Sequence, residues 1–309
     1  MRGKAVIAGV GHTTYGKHPG RDRVDLFVEA ARHAIADAGI EKDRLDGVLV
    51  KMANSAPSIL YGQKVAEALG LRPKLGASLD QGGAANIALI SYAAMAIEAG
   101  QMDMALVCYG DTPRSGSRAV YHRPRGDDAA YGWYSTAAGY AMIHQAYRQH
   151  YGVPDEHFGA IAVQCRANGL ENPHGHLRVP LDMESYLAGP YVVEPLRRDD
   201  CCLVSDGGAA VIVTSAEHAK QLGLTQAVPI LGFGQGQESW DVQLRPDLLH
   251  TMAEVSAQTA YQMAGVGPSG IDVAQIYDAF TPLVPLSLEG YGFCARGEGG
   301  AFTENGNLE

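Results

Sequence analysis

The chain has 309 residues, 46% of them hydrophobic and 19% charged, which describes a globular protein with a large core and excludes a disordered one. A formal net charge of −10 argues against a phosphate-backbone binder, because neutralising nucleic acid needs concentrated Lys and Arg. A small anion held by a local basic cluster stays compatible with that charge.

Arg2 and Lys4 precede the apolar stretch Ala5–Gly11, which His12 interrupts. This is the pattern of a buried first strand and not of a secretion signal, and no run approaches membrane-spanning length. The five cysteines, Cys108, Cys165, Cys201, Cys202 and Cys294, show no CxxC or Cys/His metal spacing. Their odd count points to reduced thiols in a cytoplasmic protein without a metal site.

In chain order, Ala5–Val10 reads as a strand buried on both faces, followed by a helix over Val24–Ala38 that Gly39 caps. A strand at Gly47–Val50 and a helix at Ile59–Leu69 come next. Ala84–Ala99 is the most apolar helix, and its pattern predicts burial almost all round. Met104–Tyr109 is a further strand. Asp111–Gly132 is rich in Arg, Gly, Asp and Tyr and has no period, and two helices follow at Ala137–His150 and His157–Asn168. After a Pro/His-rich stretch, Ala209–Thr214 returns as a strand. The remaining elements are a strand (Pro229–Phe233), a helix (Leu248–Ala264), a strand (Val273–Ile276) and a helix (Leu283–Tyr291). Strands alternating with helices predict an α/β architecture.

The last third begins to repeat the first. Ala5–Gly11 leads through a helix to Asp37-Ala38-Gly39-Ile40 and then Leu45-Asp46. Ala227–Gly234 leads through a helix to Met263-Ala264-Gly265-Val266 and then Ile271-Asp272, the Ala-Gly-aliphatic and Leu/Ile-Asp matches both standing at an offset of 226 residues. Self-similarity on this scale marks two copies of one folding unit. By the same correspondence, roughly 70–90 residues of the second copy are expected beyond Glu309.

Two strand-helix copies with a loop segment inserted in the first resemble the thiolase superfamily. Asp200-Cys-Cys-Leu-Val-Ser-Asp206-Gly-Gly-Ala-Ala210 is similar to the segment leading into the last strand of that family's first half. Glu171-Asn172-Pro173-His174 is similar to a turn of its loop domain. Tyr277-Asp278-Ala279-Phe280-Thr281, with Gly297-Glu298-Gly299-Gly300 downstream, resembles the sterol-carrier-protein-type thiolases. The resemblance covers essentially the whole chain. It implies an α/β, thiolase-like fold of two pseudo-repeated halves, layered αβαβα, with the second half C-terminally incomplete. The implied domains are residues 1–110 with 201–225, an inserted loop domain at 111–200, and a partial second half at 226–309. It further implies a CoA thioester substrate, no permanently bound cofactor, and a homodimer through the first-half sheet edge, with Ala105–Cys108 near the interface.

The family's acyl-enzyme chemistry uses a cysteine at the N-terminus of the long apolar helix, where the helix dipole favours the thiolate. Here that place falls at Gly83, after Gly82, and no cysteine precedes Cys108. Thiolysis through a covalent intermediate is therefore unavailable. Tyr277 stands where sterol-carrier-type relatives keep a histidine. Both departures resemble an aldolase branch of the family, which acts on steroid side-chain CoA thioesters with a partner subunit carrying an OB-fold and a zinc ribbon. Retro-aldol cleavage needs an acid/base for the β-hydroxyl and donors for the thioester enolate. The resemblance gives these roles to Tyr277 and Asp278, with Gly82 and Gly83 making room for the ligand.

Each residue keeps a plainer alternative. Tyr277 fits strand-end packing, Asp278 a helix cap, and the glycine pair a helix start. Arg114, Arg118, Arg123 and Arg125 read as CoA-phosphate contacts or as a solvated loop. Tyr131, Trp133 and Tyr134 read as the lining of an apolar substrate tunnel or as a lid on the core. His144, His174 and His176 read as ordinary histidines, and Cys201 and Cys202 as small core residues. Gly9 and Gly11 are followed by Thr14 where a dinucleotide fingerprint needs a third glycine, so that reading fails. A non-catalytic subunit that binds acyl-CoA or lipid is the alternative function.

Overall fold

Aliphatic runs bounded by glycine become strands, and the amphipathic stretches between them become helices. The computed structural model describes residues 1–122, 126–239, 241–304 and 306–308. Its first stretch runs β1 (Ala5–His12), α1 (Arg23–Ala38), β2 (Gly47–Val50), α2 (Tyr61–Ala68), β3 (Leu75–Ser78), α3 (Ala85–Glu98) and β4 (Met104–Asp111). Next come α4 (Ala119–His122), α5 (Thr136–Tyr151), α6 (Asp155–Glu171), α7 (Met183–Leu187), β5 (Tyr191–Val193) and β6 (Leu196–Arg197). The chain then gives β7 (Gly207–Ser215), α8 (Ala216–Gln221), β8 (Val228–Pro229), α9 (Ala253–Ala264), α10 (Leu283–Gly290) and α11 (Gly299–Phe302).

These elements group into two units, Met1–Val120 with Val204–Phe233, and Tyr121–Leu203 with Gly234–Glu309. The boundaries read from the sequence stand at 110/111, 200/201 and 225/226. The inserted loop segment and the C-terminal segment thus share the second unit.

The first unit is built on a six-stranded sheet in the order β3-β2-β4-β7-β1-β8. β2 runs parallel to both β3 and β4, while β7 is antiparallel to β4 and β1. Side chains alternate across it as strand geometry requires. Val48, Val50, Leu106, Cys108 and Ile212 meet α1 and α2 on one face, and Leu49, Ala105, Val107 and Val213 meet α3 on the other. α1 lies very close because its inner face is Ala30, Ala31 and Ala34. A Cβ at Gly11 of β1 would stand 2.4 Å from the Ala30 carbonyl oxygen. Close helix packing therefore accounts for the glycines that failed the nucleotide fingerprint. Gly39 and Gly265, the pair at the 226-residue offset, both close their helices in the left-handed region, at φ 65° and 67°.

Several sequence expectations are corrected here. α3 is not buried all round: Ile87, Tyr92 and Met95 are exposed. Ala105–Cys108 do not lie near a sheet edge. They belong to β4, between β2 and β7, with every residue at most 2% exposed, and the edges are β3 and β8. The strand expected at Pro229–Phe233 shortens to Val228–Pro229 and joins the free side of β1. Val273–Ile276 forms no strand, since no ladder partner pairs with it among the described residues, and Val273 is exposed. The helix expected from Leu248 begins at Ala253, where the Thr251 hydroxyl accepts the Ala253 amide. β3 had no sequence signal of its own.

In the second unit, α5, α6 and α7 enclose Ile143, Tyr147, Phe158 and Tyr186, together with Trp133, Val242 and Leu286. A second cluster joins Ile161 of α6 to Val284 and Leu288 of α10. No helix of the described residues is long and apolar enough to cross a membrane.

Candidate active site

Each unit contains one locus that the sequence had singled out. In the first, the parallel strands β2, β3 and β4 end on the same side of the sheet, the side on which open α/β sheets bind ligands. The chain leaves β3 through Asp80, Gln81, Gly82 and Gly83 before α3 begins. The Asp80 carboxylate accepts the Gly82 amide at 2.9 Å, and Gly82 takes φ 58°. Nothing lies within 4 Å of where its Cβ would be, so the backbone angle and not crowding calls for glycine there. Gly83 is exposed immediately before the helix, whose N-cap Ala84 offers no side-chain acceptor. The Ala84 and Ala85 amides donate to the Gln81 and Gly82 carbonyls at 3.2 and 3.3 Å, so the start of α3 has a backbone turn and no side-chain cap at the positive end of the helix dipole, and it carries no thiol.

The second locus is held by Asp200, which is 2% exposed. Its carboxylate accepts the Arg197 amide at 2.6 Å, the Tyr186 hydroxyl at 2.8 Å and the Thr281 hydroxyl at 2.6 Å. Burial pushes this carboxyl up, and those donors pull against it. The Thr281 amide also donates to the Asp200 carbonyl, and the Cys202 amide to the Ala279 carbonyl, both at 3.0 Å. Residues 200–202 and 279–281 therefore run side by side, which places Tyr277 and Asp278 at the end of that pairing. Phe280 stacks on Tyr140 of α5 at 4.2 Å between centroids.

Tyr277 is 66% exposed, yet the surrounding protein disfavours its phenolate and pushes the phenol up to about 12, with Cys202, Tyr140, Tyr121 and Asp278 adding to the shift. A side chain open to solvent but ringed by protein suits a ligand-facing position. At neutral pH such a phenol keeps its proton and donates. The Asp278 carboxylate is exposed, and burial first, then its negative charge, push the Cys165 thiol up to about 12. Burial first, and then the Asp278 charge, raise the Cys202 thiol as well. Cys202 and Cys165 are exposed and Cys201 is half-buried, so Cys201 and Cys202 are not core residues as expected.

The remaining candidates divide. Tyr134 is 56% exposed and Tyr131 more so, whereas Trp133 is buried against Gly139 and Val242 and cannot line a tunnel. Arg123 and Arg125 lie outside the described residues. Arg118 is exposed, and the Arg114 amide donates to buried Asp206. Among the described residues no group of three or more His, Cys, Asp and Glu side chains is arranged to hold a metal ion. The thiolase C-terminal domain-like family matches residues 234–309. A steroid side-chain-cleaving aldolase of Thermomonospora curvata is 37% identical over 100% of this chain and 83% of its own length. The chain belongs to the thiolase superfamily.

A second relative of this thiolase-superfamily chain is the 17-hydroxy-3-oxo-4-pregnene-20-carboxyl-CoA lyase of Mycobacterium tuberculosis. It is 31% identical over 100% of this chain and 84% of the relative. Among solved structures, that of the Ltp2-ChsH2(DUF35) aldolase superposes with a TM-score of 0.85 at 34% identity, covering 100% of this chain and 82% of that one. These relatives place the chain on the aldolase-like side of the superfamily. A cleft of about 640 Å³ runs along α9 and α10, lined by Glu254, Tyr261, Glu289 and Arg296, but neither Tyr277 nor Asp278 lines it. Sequence reasoning missed Tyr140, Cys165 and Lys51. Only Lys51 carried a signal, as a lone cation directly after an apolar strand.

Proposed function

We propose that this thiolase-superfamily chain cleaves a β-hydroxyacyl-CoA thioester by a retro-aldol reaction, without an acyl-enzyme. Gly83 at the start of α3 carries the reading, because a thiol there is what acyl-enzyme formation requires. Tyr277 takes the β-hydroxyl proton as its own phenolic proton passes to the Asp278 carboxylate. A raised phenol pKa suits this concerted relay better than a free phenolate. The Cα–Cβ bond then breaks, the β-carbon becomes a carbonyl, and its electron pair passes to the acyl-CoA as an enolate. The proton returns to Cα, so the cleavage consumes no co-reactant. Gly82 shapes the turn, and Gly83 with the first turn of α3 receives the thioester oxygen that gains charge. Tyr134 meets the acyl group, and Arg123 and Arg125 meet the CoA phosphates.

The substrate class is a steroid or related lipid side-chain CoA ester, on the strength of the two relatives' activities. A DUF35-type partner subunit and a homodimer of this chain complete the assembly, which acts in the cytoplasm; likeness to the Ltp2-ChsH2(DUF35) aldolase supports the partner. No resident cofactor takes part, and the two halves of the chain are pseudo-repeats.

The test presents a steroid side-chain β-hydroxyacyl-CoA and follows ketone and acyl-CoA release, with intact-mass measurement of the protein. Equal amounts of both products and an unmodified chain are expected. An acyl adduct on any cysteine overturns the mechanism, and tight binding without turnover points to a non-catalytic acyl-CoA-binding subunit.

A further inference from the structure

Lys51 is a buried cation that the mechanism above does not use. It follows β2 directly, its amide donates to the Cys108 carbonyl of β4, and only 4% of it is exposed. Its Nζ donates to Asn54 Oδ1 at 2.8 Å and to the Met52 carbonyl at 3.4 Å, and lies 5.1 Å from the centre of the Tyr109 ring. Asn54 is fixed in turn, because its amide donates to Asp111 at 2.8 Å, and the Tyr109 hydroxyl donates to the same carboxylate at 3.0 Å. Asp111 anchors this frame, the groups that touch Nζ within it are neutral, and the ammonium faces the Asp80 carboxylate 3.6 Å away. The Asp80 oxygen it faces is the one that accepts the Gly82 amide.

Burying an ammonium costs free energy that a half-exposed carboxylate at 3.6 Å offsets only in part, so packing alone is a poor reason for a lysine here. A methionine would fill the same slot. What the lysine adds is a fixed charge behind a side chain that shapes the turn into α3. Lys51, Asp80 and Gly82 form a chain of contacts running from the end of β2 to the first turn of that helix.

The geometry points to Lys51 as a positioning residue that holds the Asp80–Gly82 turn, and so the amides at the start of α3, in the form that receives the thioester. This rests on the function proposed above. Asp80 is the intermediary, and Lys51 itself does not touch the substrate.

The experiment compares K51M, K51R, D80N and the K51M/D80N double variant of the full chain, assayed with a steroid side-chain β-hydroxyacyl-CoA. KM is expected to rise about tenfold in K51M and D80N, and the double variant to be no worse than K51M, because the two groups act in series. K51R, which keeps the cation, is expected to stay within about threefold of the parent. A merely structural role would reduce the folded fraction and hence kcat, leaving KM unmoved. Should K51M fail to fold, D80N carries the test, since Asp80 is half exposed. Unchanged KM in D80N, or effects that add in the double variant, overturns the inference. A parent chain that cleaves no such ester instead overturns the proposed function.

Discussion

The Thr281 hydroxyl donates to the buried Asp200 carboxylate at 2.6 Å while the Thr281 amide donates to the Asp200 backbone carbonyl at 3.0 Å. This double tie, across 81 positions of sequence, sets where the chain emerges at Tyr277 and Asp278. Asp200 also accepts from Tyr186 and from the Arg197 amide, so one acidic side chain draws α7, the turn after β6 and the approach to α10 together.

Thr281→Val keeps the shape of the side chain and removes one donor from a carboxylate with no solvent to replace it. Stability is expected to fall by about 1–3 kcal/mol, read from urea unfolding. A variant as stable as the parent would show that Asp200 is satisfied without Thr281.

Tyr277→Phe deletes a hydroxyl from a side chain that is 66% exposed. Loss of one acid/base is expected to slow C–C cleavage by about 10²–10⁴-fold, whereas stability changes by less than about 1 kcal/mol. Cleavage at the parent's rate would remove Tyr277 from the mechanism. A matching drop in melting temperature would make its role structural.

His144 gives the fold a specific acid sensitivity. It is 1% exposed, its ring centre lies 3.8 Å from that of Phe158 with the planes tilted by 39°, and neither ring nitrogen has a hydrogen-bond partner. Burial first, then the charges of Arg148 and Arg197, push its pKa down to about 3. An unfolded histidine titrates near about 6.5, so below that pH the unfolded chain binds the extra proton and stability falls. The loss continues until pH nears the folded value and amounts to about 3 kcal/mol at about pH 4. His144→Phe is expected to lose less stability than the parent between neutral pH and about pH 4, in unfolding curves at both. The same loss in both proteins would rule out His144 as the cause.

Elements whose burial is written in a local period were legible from the amino acids alone. β1, β2, β4, β7, α1, α5 and α6 stand where alternating or helical apolar patterns place them, with end shifts of a few residues. Gly82 and Gly83 at the head of α3, and Tyr277 and Asp278 as neighbours, were legible because a motif keeps its residues adjacent in the chain. Where the pattern misled, the missing information was non-local. Val273–Ile276 has a strand's composition, but a strand exists only where another backbone supplies its hydrogen bonds. α3 is apolar on most sides, but exposure depends on which neighbours cover it, and Ile87 and Met95 are left uncovered. The contacts of Cys165 with Asp278, of Asp200 with Thr281 and of Lys51 with Asp80 join segments 113, 81 and 29 positions apart. A hydrogen bond or ion pair at that separation leaves no trace in the spacing of residues along one segment. Folding alone creates it, by bringing the two backbones within a few ångströms.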